Sequence, residues 1–356
     1  MRGTRKIKTC RKGWVGWMIV CAVILLNLSG CSTASYYSQS VVGHSKLMLA
    51  RQPIAKVIES APPRLKEQLE LSVELKKFAE SELSLNNNNS YTHYVELDRE
   101  FPVWNVVAAP EFSLQAKQWC YPVIGCASYR GYFNKNAAEK YALKMQNRGF
   151  ETLVGGATAY STLGWFSDPI LPSMLRYGDT EFAETLFHEL AHQRLYINGD
   201  SNFNEAFATV VGEEGAKRWL EEFRPEELHT YQTRLDALRD FDNLLTALKG
   251  RLERIYASAL DEQPMRIAKQ REFAIFKDEY ELLKARKWQG HGWFDRWLEI
   301  PLNNARLASF STYYESVDTI NSLLEQCEFD FDRFYRVLSG SEKVDGKVLV
   351  REDCTM

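Results

Sequence analysis

Apolar positions along this chain change texture several times. From Leu47 to about Ser84, leucines recur among charges, as in Arg64-Leu65-Lys66-Glu67-Gln68-Leu69-Glu70-Leu71, and this spacing predicts helix. Asn86-Asn87-Asn88-Asn89-Ser90 breaks it. Tyr91–Leu97, Val103–Ala108 and Tyr129–Phe133 are rich in aromatic and β-branched residues and predict short strands. Asn136–Arg148 predicts a helix with Ala137, Ala138, Tyr141, Ala142 and Met145 on one side, ending at Gly149. Thr152–Thr162 predicts a strand in which Gly155-Gly156 admits another backbone closely. Residues 180–197 return to helical spacing, with Asp179 or Thr180 as cap and Glu181 and Glu184 favourably placed in the first turn. After a turn at Asn198–Asn202, a second helix runs from Phe203 to Glu222. Helix pattern then continues to about Arg286, broken near Pro225 and Pro264. Leu235–Leu260 reads as one arm of an antiparallel helical hairpin. The expected fold is α+β and predominantly helical: a small sheet region packed on the 180–197 helix, plus a long helical C-terminal arm.

Composition adds limits. The chain has 356 residues, 45% hydrophobic and 26% charged, which is globular composition. A net charge of -3 argues against a nucleic-acid partner. The N-terminus differs from the rest. Arg2, Arg5, Lys6, Lys8, Arg11 and Lys12 precede an uncharged apolar run, Trp14–Leu28, too short for a comfortable membrane span. That is the layout of an export signal. It ends in Leu28-Ser29-Gly30-Cys31, which resembles the lipobox of bacterial lipoproteins. The resemblance implies that Cys31 carries lipid and holds the chain on a membrane. Ser32 is not the aspartate associated with inner-membrane retention, so the expected address is the outer membrane, facing the periplasm, with the inner membrane left open. Residues 1–30 are then signal and 31–46 a tether.

Seven cysteines occur. Cys10 and Cys21 leave with the signal and Cys31 is lipidated. Cys120, Cys126, Cys327 and Cys354 remain for an oxidising compartment, with three possible pairings, of which Cys120–Cys126 and Cys327–Cys354 is the local one.

The chemistry-bearing motif is His188-Glu189-Leu190-Ala191-His192. Residues four apart share one helix face, so His188 and His192 can offer two imidazoles to one cation. Glu189 lies about 100° around the helix, beside the metal, where it can take a proton from an activated water. Leu186, Phe187, Leu190 and Leu195 surround the site, and Phe187 and Leu190 would keep it dry. A catalytic zinc needs a third protein ligand. Asn204-Glu205-Ala206, on a helix folded back by the 198–202 turn, supplies a carboxylate in Glu205; Glu213 and Glu214 are the alternatives. Two packed histidines on a structural helix are the plainer alternative to the whole site.

His188-Glu189-x-x-His192 followed by Asn204-Glu205-Ala206 resembles the gluzincin pattern of zinc peptidases. Through Tyr121–Phe133, Gly155–Pro169 and His188–Gly212 the chain is also similar to a family of bacterial lipoproteins classed as aminopeptidases. The resemblance implies Zn2+ as cofactor, a peptide as substrate, and an edge strand before the helix that pairs with the substrate backbone; Gly155, Gly156 and Ala157 are placed for that. It also implies a tyrosine that steadies the oxyanion, for which Tyr313 and Tyr314 are the candidates, then Tyr160. Residues 47–222 would form the metallopeptidase-like region and 223–356 a helical region completing the cleft, with an arm at 225–300 as a wall. The expected function is a zinc peptidase, specifically an aminopeptidase, with Glu189 as general base. A cell-wall or protein endopeptidase, another zinc amidohydrolase, or a non-catalytic envelope lipoprotein with a structural zinc are the rival readings.

Overall fold

The computed structural model describes residues 35–121, 125–163, 165–310, 317–341, 343–344, 347–348, 350 and 354. The chain divides into two units, residues 1–49 and 50–356. Within the first unit, helix α1 spans 35–49, so the stretch read as a tether is helical there.

The second unit is the predominantly helical α+β fold that the sequence patterns predict. Its first stretch departs from the continuous helix expected over 47–84. Prolines at 53, 62 and 63 cut it, because proline lacks an amide donor and pushes its predecessor out of helical space. A short helix α2 (Ile54–Ile58) is followed by α3 (Pro63–Glu82), which begins on Pro63, where the missing donor costs nothing. The strand expected over Tyr91–Leu97 shrinks to two residues: β2 (His93–Tyr94) pairs antiparallel with β1 (Gln52–Pro53), and Tyr94 also bridges Ile170 in parallel.

The main sheet has three antiparallel strands in the order β6 (Arg130–Tyr132), β3 (Trp104–Pro110), β7 (Phe150–Gly156). Register aligns Asn105 with Gly155 and Val107 with Leu153. The strand expected over Thr152–Thr162 therefore starts earlier and stops at Gly156. Beyond Ala157, whose amide still reaches Val103 O at 2.9 Å, the chain leaves the sheet. A hairpin of β4 (Trp119–Tyr121) and β5 (Gly125–Ala127) places Cys120 directly opposite Cys126. These two form a disulfide, and Cys327 pairs with Cys354, the local pairing. Helix α4 (Lys135–Gln146) is capped by the Asn134 side chain and buries Ala138, Ala142 and Met145.

Two helices form the centre. α5 (Asp179–Arg194) carries the H-E-x-x-H residues, and α6 (Ser201–Phe223) returns alongside it. The expected side-chain cap of α5 is corrected here. Gly178, at φ 120°, holds the N-cap position, and the Asp179 and Thr180 side chains bond Arg224 and Glu227 instead. α6 is capped by Asp200, whose Oδ1 accepts from Phe203 N. Phe182, Phe187, Leu190, Ala206, Phe207 and Val211 are buried in this centre.

The arm consists of α7 (Pro225–Tyr256) and α8 (Glu262–Arg286), starting where the prolines at 225 and 264 predict breaks. Phe241, Leu245, Leu248, Leu252, Phe276 and Tyr280 fill its own core. Lys269 roots it in the sheet region: its buried ammonium meets Glu151 at 2.5 Å and Glu111 O at 2.8 Å. After the one-turn α9 (Asp295–Leu298), α10 (Asn304–Phe310) packs Ala305 against Val107, Ala109 and Leu153 on one sheet face. α11 (Val317–Gln326) and α12 (Phe331–Ser339) complete the helical set. Phe334 and Tyr335 of α12 close over Phe207. A last two-stranded ladder pairs β8 (Lys343–Val344) with β9 (Lys347–Val348).

Candidate metal centre

Close approach of α5 and α6 brings His188, His192 and Glu205 together, and the sequence of α6 makes it possible. Ala206, Ala208, Gly212, Gly215 and Ala216 present little side chain. A Cβ on Gly212 would lie 2.9 Å from Glu184 O and 3.2 Å from His188 Cβ. Gly212→Val is therefore expected to push α6 off α5, costing about 1–3 kcal/mol by overpacking. Denaturant unfolding and metal affinity should both fall, and unchanged values for both would refute the tight contact.

The turn between the helices is also fixed. Asn204 is buried, and its amide clamps the chain before α6: Oδ1 accepts from Ile197 N and Nδ2 donates to Ile197 O, both at 2.8 Å. This sets where the next residue, Glu205, emerges.

His188 Nε2 and His192 Nε2 lie 3.1 Å apart, with their rings nearly perpendicular at 88°. Glu205 Oε2 is 3.3 Å from the first nitrogen and 3.6 Å from the second. Two ligands bound to a tetrahedral zinc at ~2.0–2.1 Å stand about 3.3 Å apart. The separations thus fit one small cation held between two imidazoles and a carboxylate, and these are the ligand atoms within 4.8 Å of one another among the described residues. The buried His192 Nδ1 has no hydrogen-bond partner. Glu213 and Glu214, the alternatives to Glu205, face elsewhere. Glu214 pairs with Lys217 and Arg218, and Glu213 lies 3.8 Å from Arg239.

Electrostatics follow from this packing. Partial burial works against the Glu205 charge, but bonds to both histidines hold its pKa far below the usual carboxylate range. Burial works against a charged His188, yet the Glu205 bond and the nearby Glu189 and Glu184 charges leave its pKa raised. Burial pushes Glu189 above the ordinary range, while both histidines pull it down. Glu213, buried and near Glu184, is pushed up to about 7.

A cleft of about 550 Å³ opens onto these residues. His188, Glu189, Glu205, Glu184 and Thr209 form its helical wall. Asn105, Val107, Leu153, Gly155, Gly156, Ala157 and Thr158 line it from the sheet side. The residues expected to contact substrate, Gly155, Gly156 and Ala157, thus share one cleft with Glu189. Ser309 of α10 also lines it, and no residue of the expected 225–300 wall is among the described lining residues. Tyr160 packs edge-on against Phe133, with ring centroids 5.5 Å apart, rather than lining the cleft. Tyr313, Tyr314 and Cys31 lie outside the described residues.

The structure adds residues around the motif to which the sequence patterns give no role in the site. Tyr196 stands beside His192, with ring centroids 6.4 Å apart, and is close enough to Glu205 to feel its charge. Glu184 lies one turn before His188 and accepts from Tyr231 and Arg234; that i, i+4 spacing was a legible signal. Tyr91 is buried, feels the charges of Glu189 and Asp168, and has its backbone at φ 60°. Its neighbour Asp168, also buried, accepts from Thr162 and Gln193. No local pattern marks those two.

The family described as "Putative aminopeptidase" matches residues 35–347. The chain belongs to this family. No curated protein and no solved structure matches it. Family membership suggests peptidase activity. The matched span includes both the histidine–glutamate group and the sheet side of the cleft.

Proposed function

We propose that this protein is a zinc-dependent aminopeptidase of the gluzincin type, anchored by lipidated Cys31 to the outer membrane and facing the periplasm. One observation carries the catalytic part. Two imidazole nitrogens and a carboxylate oxygen converge within 3.6 Å, with Glu189 beside them in a cleft whose opposite wall is an edge strand. His188, His192 and Glu205 would hold the ion, which supplies Lewis acidity to the scissile carbonyl and its attacking water. Glu189 takes a proton from that water as its oxygen bonds to the carbonyl carbon. It then delivers the proton to the leaving amine as the C–N bond breaks. Raised affinity for a proton suits Glu189 to both transfers. β7 holds the peptide backbone by strand addition. The address rests on the lipobox-like Leu28–Cys31, and two disulfides agree with an oxidising compartment. No helix among the described residues is long and apolar enough to cross a membrane.

The test pairs metal analysis of the purified protein with peptide cleavage. One zinc per chain and release of the first residue from free peptides, but not from N-acetylated ones, are expected. Equal cleavage of blocked peptides would make the enzyme an endopeptidase. Zinc without cleavage of either would leave a structural metal.

A further inference from the structure

The free edge of β7 has two ends that are already taken. In an antiparallel ladder, one residue sends both its N–H and its C=O to the same side, and alternate residues face opposite sides. Ala157 N reaches Val103 O, and Gly155 and Leu153 sit opposite Asn105 and Val107, so these positions face β3. Thr152, Val154 and Gly156 therefore face away from it, and Thr158 follows where the chain has left the sheet. Thr152 O accepts from Asn303 Nδ2 at 3.1 Å, and Thr158 O accepts from Ser173 Oγ at 2.5 Å. Between them, the outward backbone groups of Val154 and Gly156 have no partner among the described residues. Gly156 is exposed, and a Cβ on Gly155 would meet nothing within 4 Å.

Both stops are rigidly held. Asn303 Oδ1 accepts from Arg306 N at 2.9 Å, which fixes it to the start of α10, and α10 is packed on the sheet through Ala305. Ser173 is fully buried.

We propose that this edge takes a peptide segment of three residues and that Asn303 and Ser173 are the specificity-determining stops. A segment adding antiparallel pairs one residue with Val154 and another with Gly156, and the two are separated by a single residue. A fourth or fifth residue meets the Thr152 and Thr158 carbonyls, already bonded to Asn303 and Ser173. The substrates are accordingly short peptides, whose added length beyond three gains no backbone pairing. This rests on the peptide-hydrolysis reading above, and deepens it.

The experiment measures binding and cleavage separately. Alanine peptides of two to six residues with free termini are titrated into the full-length Glu189→Gln protein loaded with zinc, and the same peptides are given to the unsubstituted protein. Affinity is expected to rise about fivefold with each edge hydrogen-bonded pair gained up to three residues, then to stay flat. Asn303→Asp keeps the acceptor for Arg306 N but cannot donate to Thr152 O. It should extend the rise to five residues by about fivefold while leaving the tripeptide unchanged. Affinity that keeps tightening past three residues with Asn303 intact, a length profile unmoved by Asn303→Asp, or no binding at any length would each overturn the proposal. A break at three residues in binding, with no cleavage by the unsubstituted protein, would support the edge assignment and defeat the hydrolysis reading alone.

Discussion

Glu189→Gln is expected to keep the bound metal and lose about 10²–10⁴-fold in kcat, the usual contribution of a positioned general acid–base group. Glutamine nearly matches the shape of glutamate but cannot accept the water proton. Glu189 flanks the ligand set rather than belonging to it: the convergent atoms are those of His188, His192 and Glu205. Metal content by mass spectrometry and initial rates on a free peptide separate the two roles. A variant that loses its zinc along with its activity would place Glu189 among the ligands instead. One that cleaves at the normal rate would remove it from the chemistry.

Glu205→Ala should have the second-largest effect: loss of zinc binding by more than about 100-fold, above the roughly 10–100-fold typical of groups that only support a ligand. Its carboxylate oxygen lies within 3.6 Å of both imidazole nitrogens, and removing it leaves two ligands where a catalytic zinc needs three. Competition with a chelator of known affinity gives the number. Full retention of zinc would mean that another carboxylate, such as Glu213, can reach the site.

The convergence of His188, His192 and Glu205 was legible in the sequence because all of it is local. Spacing of four within α5 aligns the histidines, the six residues between Arg194 and Ser201 reverse the chain, and Glu205 comes next to hand. What decided between Glu205 and Glu213 or Glu214 was not legible: the Asn204 clamp on Ile197, and the arginines and lysine that hold Glu213 and Glu214 elsewhere. The cleft's other parts come from far along the chain. Val107, Gly155 and Ser309 meet only because β3 pairs with β7 and α10 lies on that sheet, a long-range arrangement with no periodic signature. Tyr91 and Asp168 are buried polar loop residues, and composition reads such residues as solvent-facing. Two departures from the sequence pattern are local. Asp179 looks like a cap, but Gly178 takes the cap position with a backbone angle that glycine tolerates and aspartate seldom adopts. The prolines at 53, 62 and 63 were visible and outweigh the leucine spacing around them.

The helical hairpin of α5 and α6 also has a consequence for the order of events as the chain folds. Every proposed ligand lies within 188–205, so the loop that must close to gather them is short and its entropic cost small. Contacts of low sequence separation form early, whereas pairing β3 with β7 must wait for some forty residues of chain to be drawn together. The chain can therefore gather these three side chains on a nascent hairpin before the cleft exists, and the sheet then assembles over them.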